Sequence, residues 1–140
     1  MAARSQPMIR LLGLSLVALT VTLFTHAAIV IRYLPGSFTR ALPILAIGWA
    51  SFGLVFYSLG RLRPVSTGRM PNMRTTEVGV ALFLFSVVLG GLLDSAGLSL
   101  AEATEFHFLP AAGIYVGLAL TGWGFGARTR TVNEVTGESG

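Results

Sequence analysis

Side chains that could do chemistry cluster in one short segment of this sequence. Among 140 residues there are six acidic side chains and two histidines, and Glu102, Glu105 and His107 all fall within residues 99–110, SLAEATEFHFLP. The second histidine, His26, interrupts a long apolar run near its end. Ionisable groups inside apolar runs are costly in a bilayer and commonly mark a functional site. The segment is therefore either a chemical site or the polar margin of a membrane helix.

The two histidines allow two kinds of cofactor site. If His26 and His107 lie on different helices at a similar depth, each could supply one axial nitrogen to a b-type haem. Together with Glu102 and Glu105 they could instead ligate a divalent metal ion. We expect that no cofactor is bound, and haem b or a divalent metal ion is the alternative.

Three further charges belong to the same predicted surface. Asp94 precedes the segment in the chain, and Arg32 and Arg40 flank a Pro-Gly turn at residues 35–36. Exposed ion pairs between such groups contribute little to stability, and we expect the three to form pairs of this kind. The alternative is a polar patch, a cation entry site or a partner-docking patch, formed by Asp94, Arg32 and Arg40 together with Glu102 and Glu105.

The composition places these residues in a membrane protein. Hydrophobic residues make up 53% of the chain and charged residues only 11%, whereas soluble domains carry roughly a quarter. The mean hydropathy is +0.72. The chain has no cysteine, which excludes disulfides and thiolate metal sites. Its basic residues are all arginines and stand at the ends of apolar runs, a distribution that argues against nucleic-acid binding.

Four apolar runs are close to the length that a bilayer crossing requires, about 20 residues. They cover residues 9–31, 41–60, 78–95 and 108–126. These runs predict an all-α integral membrane protein, an up-and-down bundle of four helices within a single domain of residues 1–130. Residues 131–140 are polar, and we expect them to form a disordered cytoplasmic tail.

The arginines predict how the chain is oriented in the membrane. Eight of them fall on one predicted side, at positions 4, 10, 61, 63, 69, 74, 128 and 130. The other side holds only Arg32 and Arg40, together with the acidic residues of the 94–107 region. Because arginine is enriched on the cytoplasmic side, we expect a plasma-membrane protein with both termini in the cytoplasm. Cleavage of the first run as a signal peptide is the alternative.

Two predicted helix starts carry capping signals. Thr76 followed by Glu77 predicts the cap of the third helix, with the carboxylate near the positive end of the helix dipole. Ser99-x-x-Glu102 matches a capping box, which predicts a short outer helix from about Leu100.

Two segments resemble each other and point to two tandem helical hairpins. Residues 42–63 (LPILAIGWASFGLVFYSLGRLR) and 109–130 (LPAAGIYVGLALTGWGFGARTR) share an opening Leu-Pro and a closing Arg-x-Arg at a constant offset. A duplicated hairpin explains this, and so does convergence, since proline favours first turns and arginine favours cytoplasmic ends.

The fourth run also carries two pairs of glycines four residues apart. Gly113 and Gly117 form the first pair, and Gly122 and Gly126 form the second. Such spacing lets another helix approach closely. We expect that helix to belong to the same chain, and the alternative is a homo-oligomer or a larger membrane protein as partner.

The function expected from these observations is that of a small multi-pass protein of the lipid bilayer. We expect a non-enzymatic accessory or structural subunit. One alternative is a dimeric transporter or channel with a polar outer mouth at His26, Asp94 and Glu105. A second is a redox subunit that binds haem or a quinone in the outer leaflet through His26 and His107.

Overall fold

Four long helices contain most of the chain that the computed structural model describes, which is residues 2–32, 38–63 and 73–137. They are α1 (Ala2–Arg32), α2 (Phe38–Leu62), α3 (Arg74–Ser95) and α4 (Thr104–Val135). Each contains a stretch that is long and apolar enough to cross a membrane. The protein is an all-α bundle with four candidate membrane spans, as the apolar runs predict.

The predicted spans lie inside the four helices, and the helices extend beyond them. The largest extension is that of α4, which runs to Val135, so that residues 131–135 of the predicted tail are helical. An ion pair between Arg130 Nε and Glu134 Oε1 at 2.9 Å, four residues apart on one face, supports this extension. Arg130 Nη1 also donates to the carbonyl oxygen of Arg61 at the end of α2. Residues 138–140 lie outside the described residues.

The connection between α3 and α4 is a turn, and the short outer helix predicted from Leu100 is wrong. Gly97 adopts a φ of +85°, a conformation that suits glycine after a helix end, and Leu98 N–H donates to Leu93 O. The Ser99 hydroxyl bonds the Glu102 carboxylate and makes no capping bond to the backbone. Ala103 N–H returns to Ser99 O and closes the turn.

The predicted cap of the third helix is wrong as well. Helix α3 begins at Arg74 with Met73 at the cap position. Thr76 lies inside the first turn and is buried. Its side chain faces α4, where a Cβ added to Gly124 would collide with the Thr76 hydroxyl. Thr76 therefore packs against α4, although the local sequence pattern predicts that it caps α3.

The bundle consists of two helical hairpins joined through α4. Helix α1 packs on α2, α3 packs on α4, and α2 packs on α4, which gives the spatial order α1-α2-α4-α3. Among the described residues, no Cα atom of α2 lies within 8 Å of one in α3. A cleft therefore separates α2 from α3, and α4 forms its back wall.

The glycines of α4 make these close contacts. A Cβ added at Gly117 would lie 2.6 Å from Phe83 N on α3. On the α2 side, a Cβ at Gly122 would collide with the carbonyl oxygen of Gly53, and one at Gly126 with that of Tyr57. The two glycine pairs thus pack within the chain, so a partner chain would have to bind another surface.

The outward faces of the helices carry large apolar side chains. Phe24 is 75% exposed, Phe108 71% and Leu109 72%. Exposure of this kind suits helices surrounded by hydrocarbon. We call the end of the bundle with Asp94, Glu102 and Glu105 the acidic end. The opposite end, with Arg61, Arg63, Arg128 and Arg130, is the basic end.

Candidate functional site

The cleft between α2 and α3 contains a cavity of about 650 Å³ toward the acidic end of the bundle. Residues of all four helices line it, together with the turn at residues 99–101. Most of the lining is apolar, and the polar side chains that face it are Ser86, Asp94, Ser99, His107 and Tyr115. We call this space the acidic-end cavity.

The wall that α3 contributes includes three small residues, Ser86, Gly90 and Gly91. Gly91 lies on one helical face with Val87 and Asp94, which also line the cavity. A Cβ added at Gly91 would meet no atom within 4 Å, so the missing side chain leaves open space. From Ser86 to Asp94 the helix rises about 12 Å, which is close to half the thickness of a bilayer's hydrocarbon core.

Aromatic side chains close the deep end of the cavity. The rings of Trp49 on α2 and Phe83 on α3 meet edge to face, with centroids 5.7 Å apart. The Trp49 Nε1–H is buried and has no acceptor in hydrogen-bonding geometry, although the Tyr115 hydroxyl is near enough to interact with it. A buried N–H without an acceptor is uncommon in folded proteins.

His26 lies between helices, and both of its ring nitrogens have partners. Its Nδ1 is 2.7 Å from the carbonyl oxygen of Thr22. Because a carbonyl only accepts, Nδ1 carries the proton, and Nε2 accepts the hydroxyl of Tyr115 on α4. Gly48 makes room for the ring, since a Cβ there would lie 2.9 Å from His26 Cε1. In this arrangement neither nitrogen is available to a haem or a metal ion.

His107 has a separate partner and a different position along the bundle. Its Nε2 donates to the carbonyl oxygen of Leu98 at 2.7 Å, and the half-buried ring lines the mouth of the cavity. His26 meets α4 at Tyr115, which lies eight residues or about 12 Å deeper than His107. The structure does not bring the two histidines to the common level that a haem pair requires.

The predicted metal ligands are not brought together either. Within the described ranges, no group of three or more His, Asp or Glu side chains is placed to hold a metal ion. Glu102 bonds Ser99, and Glu105 is exposed in the first turn of α4. Of the four residues proposed as ligands, His107 alone lines the cavity.

The predicted polar patch of Asp94, Arg32 and Arg40 is divided. Asp94 lines the cavity, whereas both arginines are exposed and neither lines it. Among the ion pairs of the described residues, none joins Asp94 to either arginine. The carboxylate of Asp94 therefore stands at the mouth without a cationic partner from these two positions.

Sequence reasoning missed the residues at the deep end. Trp49 and Tyr115 have no charge and sit inside apolar runs, so their types point to packing. The available signal was the coincidence of Gly90-Gly91 on one helix with an interior tryptophan and tyrosine on two others. That signal indicates a cavity only when the order of the helices is known.

Comparisons with protein-family models, with curated proteins and with solved structures find no match to this chain. The acidic-end cavity, its polar side chains and the apolar exterior are thus the observations from which a function can be argued.

Proposed function

We propose that this protein is a non-enzymatic accessory protein of the plasma membrane that binds a small amphipathic molecule in the acidic-end cavity. The observation that carries the proposal is the convergence of polar groups at both ends of an apolar cavity. Asp94 and His107 line its mouth, and Ser86 and Tyr115 line its deep part beside the Trp49 ring.

The size and lining of the cavity favour such a ligand. Binding sites for small molecules usually measure about 300–1,000 Å³ and are mostly apolar with a few placed polar groups. The acidic-end cavity, at about 650 Å³, falls inside this range. The ligand needs an apolar body to replace water along the walls, because apolar burial supplies most of the favourable free energy.

The polar side chains of the cavity are held in place before any ligand arrives. Tyr115 is fixed by His26, and His107 is fixed by the carbonyl of Leu98. Groups that are already positioned lose little conformational entropy on binding. The Ser86 side chain lines the deep part of the cavity, and its hydroxyl can donate a hydrogen bond to an acceptor, such as a carbonyl oxygen, at the buried end of the ligand.

The orientation expected from the arginines would open this cavity toward the outer leaflet. The basic end holds Arg61, Arg63, Arg128 and Arg130, and positive residues favour the cytoplasmic side. We therefore propose that both termini lie in the cytoplasm and that the ligand enters from the outer leaflet or the outer aqueous phase.

Fluorescence quenching of Trp49 tests the binding proposal. The chain has two tryptophans, so Trp123→Phe leaves Trp49 as the sole emitter. We expect the methyl ester of a brominated stearic acid, titrated into the purified protein in detergent, to quench Trp49 saturably. The neutral ester supplies the apolar body and the carbonyl acceptor that the proposal requires.

Two glycine substitutions provide the matched comparison. Gly91→Phe fills the cavity from α3, whereas Gly13→Phe adds the same side chain to α1 away from it, and neither added Cβ meets an atom within 4 Å. Saturable quenching should disappear in Gly91→Phe and persist in Gly13→Phe. Quenching that never saturates, or that is the same in both variants, would contradict the proposal.

A further inference from the structure

We infer that the ligand of the acidic-end cavity is a hydrophobic organic cation, whose positive group binds the Asp94 carboxylate while its apolar body fills the space toward Trp49. The inference rests on the proposed function, because it names the chemical class of the molecule that the cavity takes.

The acidic residues around the mouth of the cavity favour a positively charged ligand. Asp94 and His107 are the ionisable groups at the mouth among the described residues that line the cavity, and Asp94 is the acidic one. Glu102 and Glu105 stand nearby on the turn and the first turn of α4, and both are exposed. Their potential adds to that of Asp94, so the mouth attracts a cation and repels an anion.

The Asp94 carboxylate is available to a ligand cation. Of the ion pairs formed in the described part of the chain, none involves Asp94. Asp94 is exposed, like Glu102 and Glu105, but it lines an apolar cavity, and a charge interacts more strongly at such a boundary than in bulk water. A ligand cation would therefore gain an attraction that Arg32 and Arg40, which are exposed and do not line the cavity, do not already supply.

The length and apolar lining of the cavity favour an organic cation over an inorganic one. About 12 Å of helix separates Asp94 from Ser86, and Trp49 closes the far end. A small inorganic cation would leave this apolar length empty, whereas an organic cation fills it. A phospholipid headgroup fits less well, because its phosphate would lie beside Asp94 and be repelled. These considerations favour a free amphiphile that carries one positive charge.

A pair of hydrophobic ions of equal shape tests the inference. Tetraphenylphosphonium and tetraphenylborate differ in the sign of their charge, and both are measured by equilibrium dialysis against the purified full-length protein in detergent. We expect saturable binding of the phosphonium ion and no saturable binding of the borate. Equal binding of the two ions would overturn the assignment of charge.

Substitutions that remove one charge each locate the site. Asp94→Asn should weaken phosphonium binding about tenfold or more, the loss expected for a charge pair at the edge of an apolar site. Glu105→Gln removes the same charge from the same end of the bundle but does not line the cavity, and it should change the affinity less than about threefold. Similar losses in the two variants would show that general surface charge, rather than Asp94, attracts the ion.

The neutral ester separates failure of this inference from failure of the proposed function. If the ester quenches Trp49 saturably and the phosphonium ion does not bind, the cavity is a binding site and the cationic assignment is wrong. If neither probe binds, both proposals are wrong. Phosphonium binding that is weakened about tenfold or more by Asp94→Asn and abolished by Gly91→Phe supports the two together.

Discussion

At the scale of single residues, His26 is explained by its partners. The sequence presents it as an ionisable group in an apolar run, which raises the expectation of a ligand site. The structure places it between Thr22 of its own helix and Tyr115 of α4. Among the described residues, no Cα atom of α1 lies within 8 Å of one in α4, so this side-chain bond ties α1 to the centre of the bundle.

Removing the hydroxyl group of Tyr115 should weaken the attachment of α1 to α4. In Tyr115→Phe the His26 Nε2 loses its donor, and we expect the free energy of unfolding to fall by about 0.6–1.7 kcal/mol, the range for interhelical hydrogen bonds in membranes. The measurement is equilibrium unfolding of the purified protein by sodium dodecyl sulfate in mixed micelles.

Tyr57→Phe is the matched control for this substitution. It removes a tyrosine hydroxyl group from α2. The Tyr57 ring faces the Arg61 guanidinium, and the ring centroid lies 6.0 Å from Arg61 Cζ. We expect a change in the free energy of unfolding of less than about 0.5 kcal/mol, as for substitutions away from buried networks. If the two variants lose the same stability, the His26–Tyr115 bond is not a specific tie.

The residues of the candidate site were predictable to different degrees. Asp94 and His107 stood out in the sequence by charge, and both line the cavity. Residue counting gives only an approximate depth and does not show the partners of the histidines: His26 bonds Thr22 and Tyr115, and His107 bonds Leu98. Trp49 was not identified as a site residue, since only the arrangement of the helices shows that it lines the end of a cavity.

At the scale of elements, α4 is the helix on which the bundle is built. Its glycine pairs serve different neighbours: Gly113 and Gly117 face α3, and Gly122 and Gly126 face α2. The change of face follows from helix geometry, because the five-residue step from Gly117 to Gly122 rotates the helix by about 140° beyond a full turn. The spacing predicts close packing, but it does not say which helix occupies each groove.

A pair of alanine substitutions at one helix crossing tests this packing. Gly122→Ala would drive a methyl group into the carbonyl oxygen of Gly53, so α2 and α4 must separate. We expect a loss of about 1–3 kcal/mol in the free energy of unfolding, typical of overpacking. The measurement is the same detergent-based unfolding.

The control for Gly122→Ala lies on the facing helix. A Cβ at Gly53 would meet no atom within 4 Å, and alanine is the better helix former by about 1 kcal/mol in soluble hosts. Gly53→Ala should therefore be neutral or slightly stabilising. Loss of stability in Gly53→Ala equal to that in Gly122→Ala would mean that the two helices do not cross in this register.

At the scale of the whole molecule, the number of helices was predictable and their order was not. Four apolar runs of sufficient length suffice to predict four spans, because an uninterrupted run of about 20 apolar residues has few other solutions in a bilayer. The helix bounds extend past the runs, as at Arg130 and Glu134, where an ion pair continues α4 beyond its apolar part. The order α1-α2-α4-α3 depends on which small-residue faces meet, and this order creates the cleft that becomes the cavity.

The orientation of the bundle decides which compartment would supply the proposed ligand, and the absence of cysteine makes the orientation measurable. Single cysteines introduced by Glu102→Cys at the acidic end and Thr136→Cys beyond α4 would both be exposed. If the arginines hold the basic end in the cytoplasm, a membrane-impermeant maleimide should label Glu102→Cys in intact cells and label Thr136→Cys only after permeabilisation. A permeant maleimide should label both, which controls for their reactivity. The reverse pattern would open the acidic-end cavity to the cytoplasmic leaflet, and a ligand would then have to come from inside the cell.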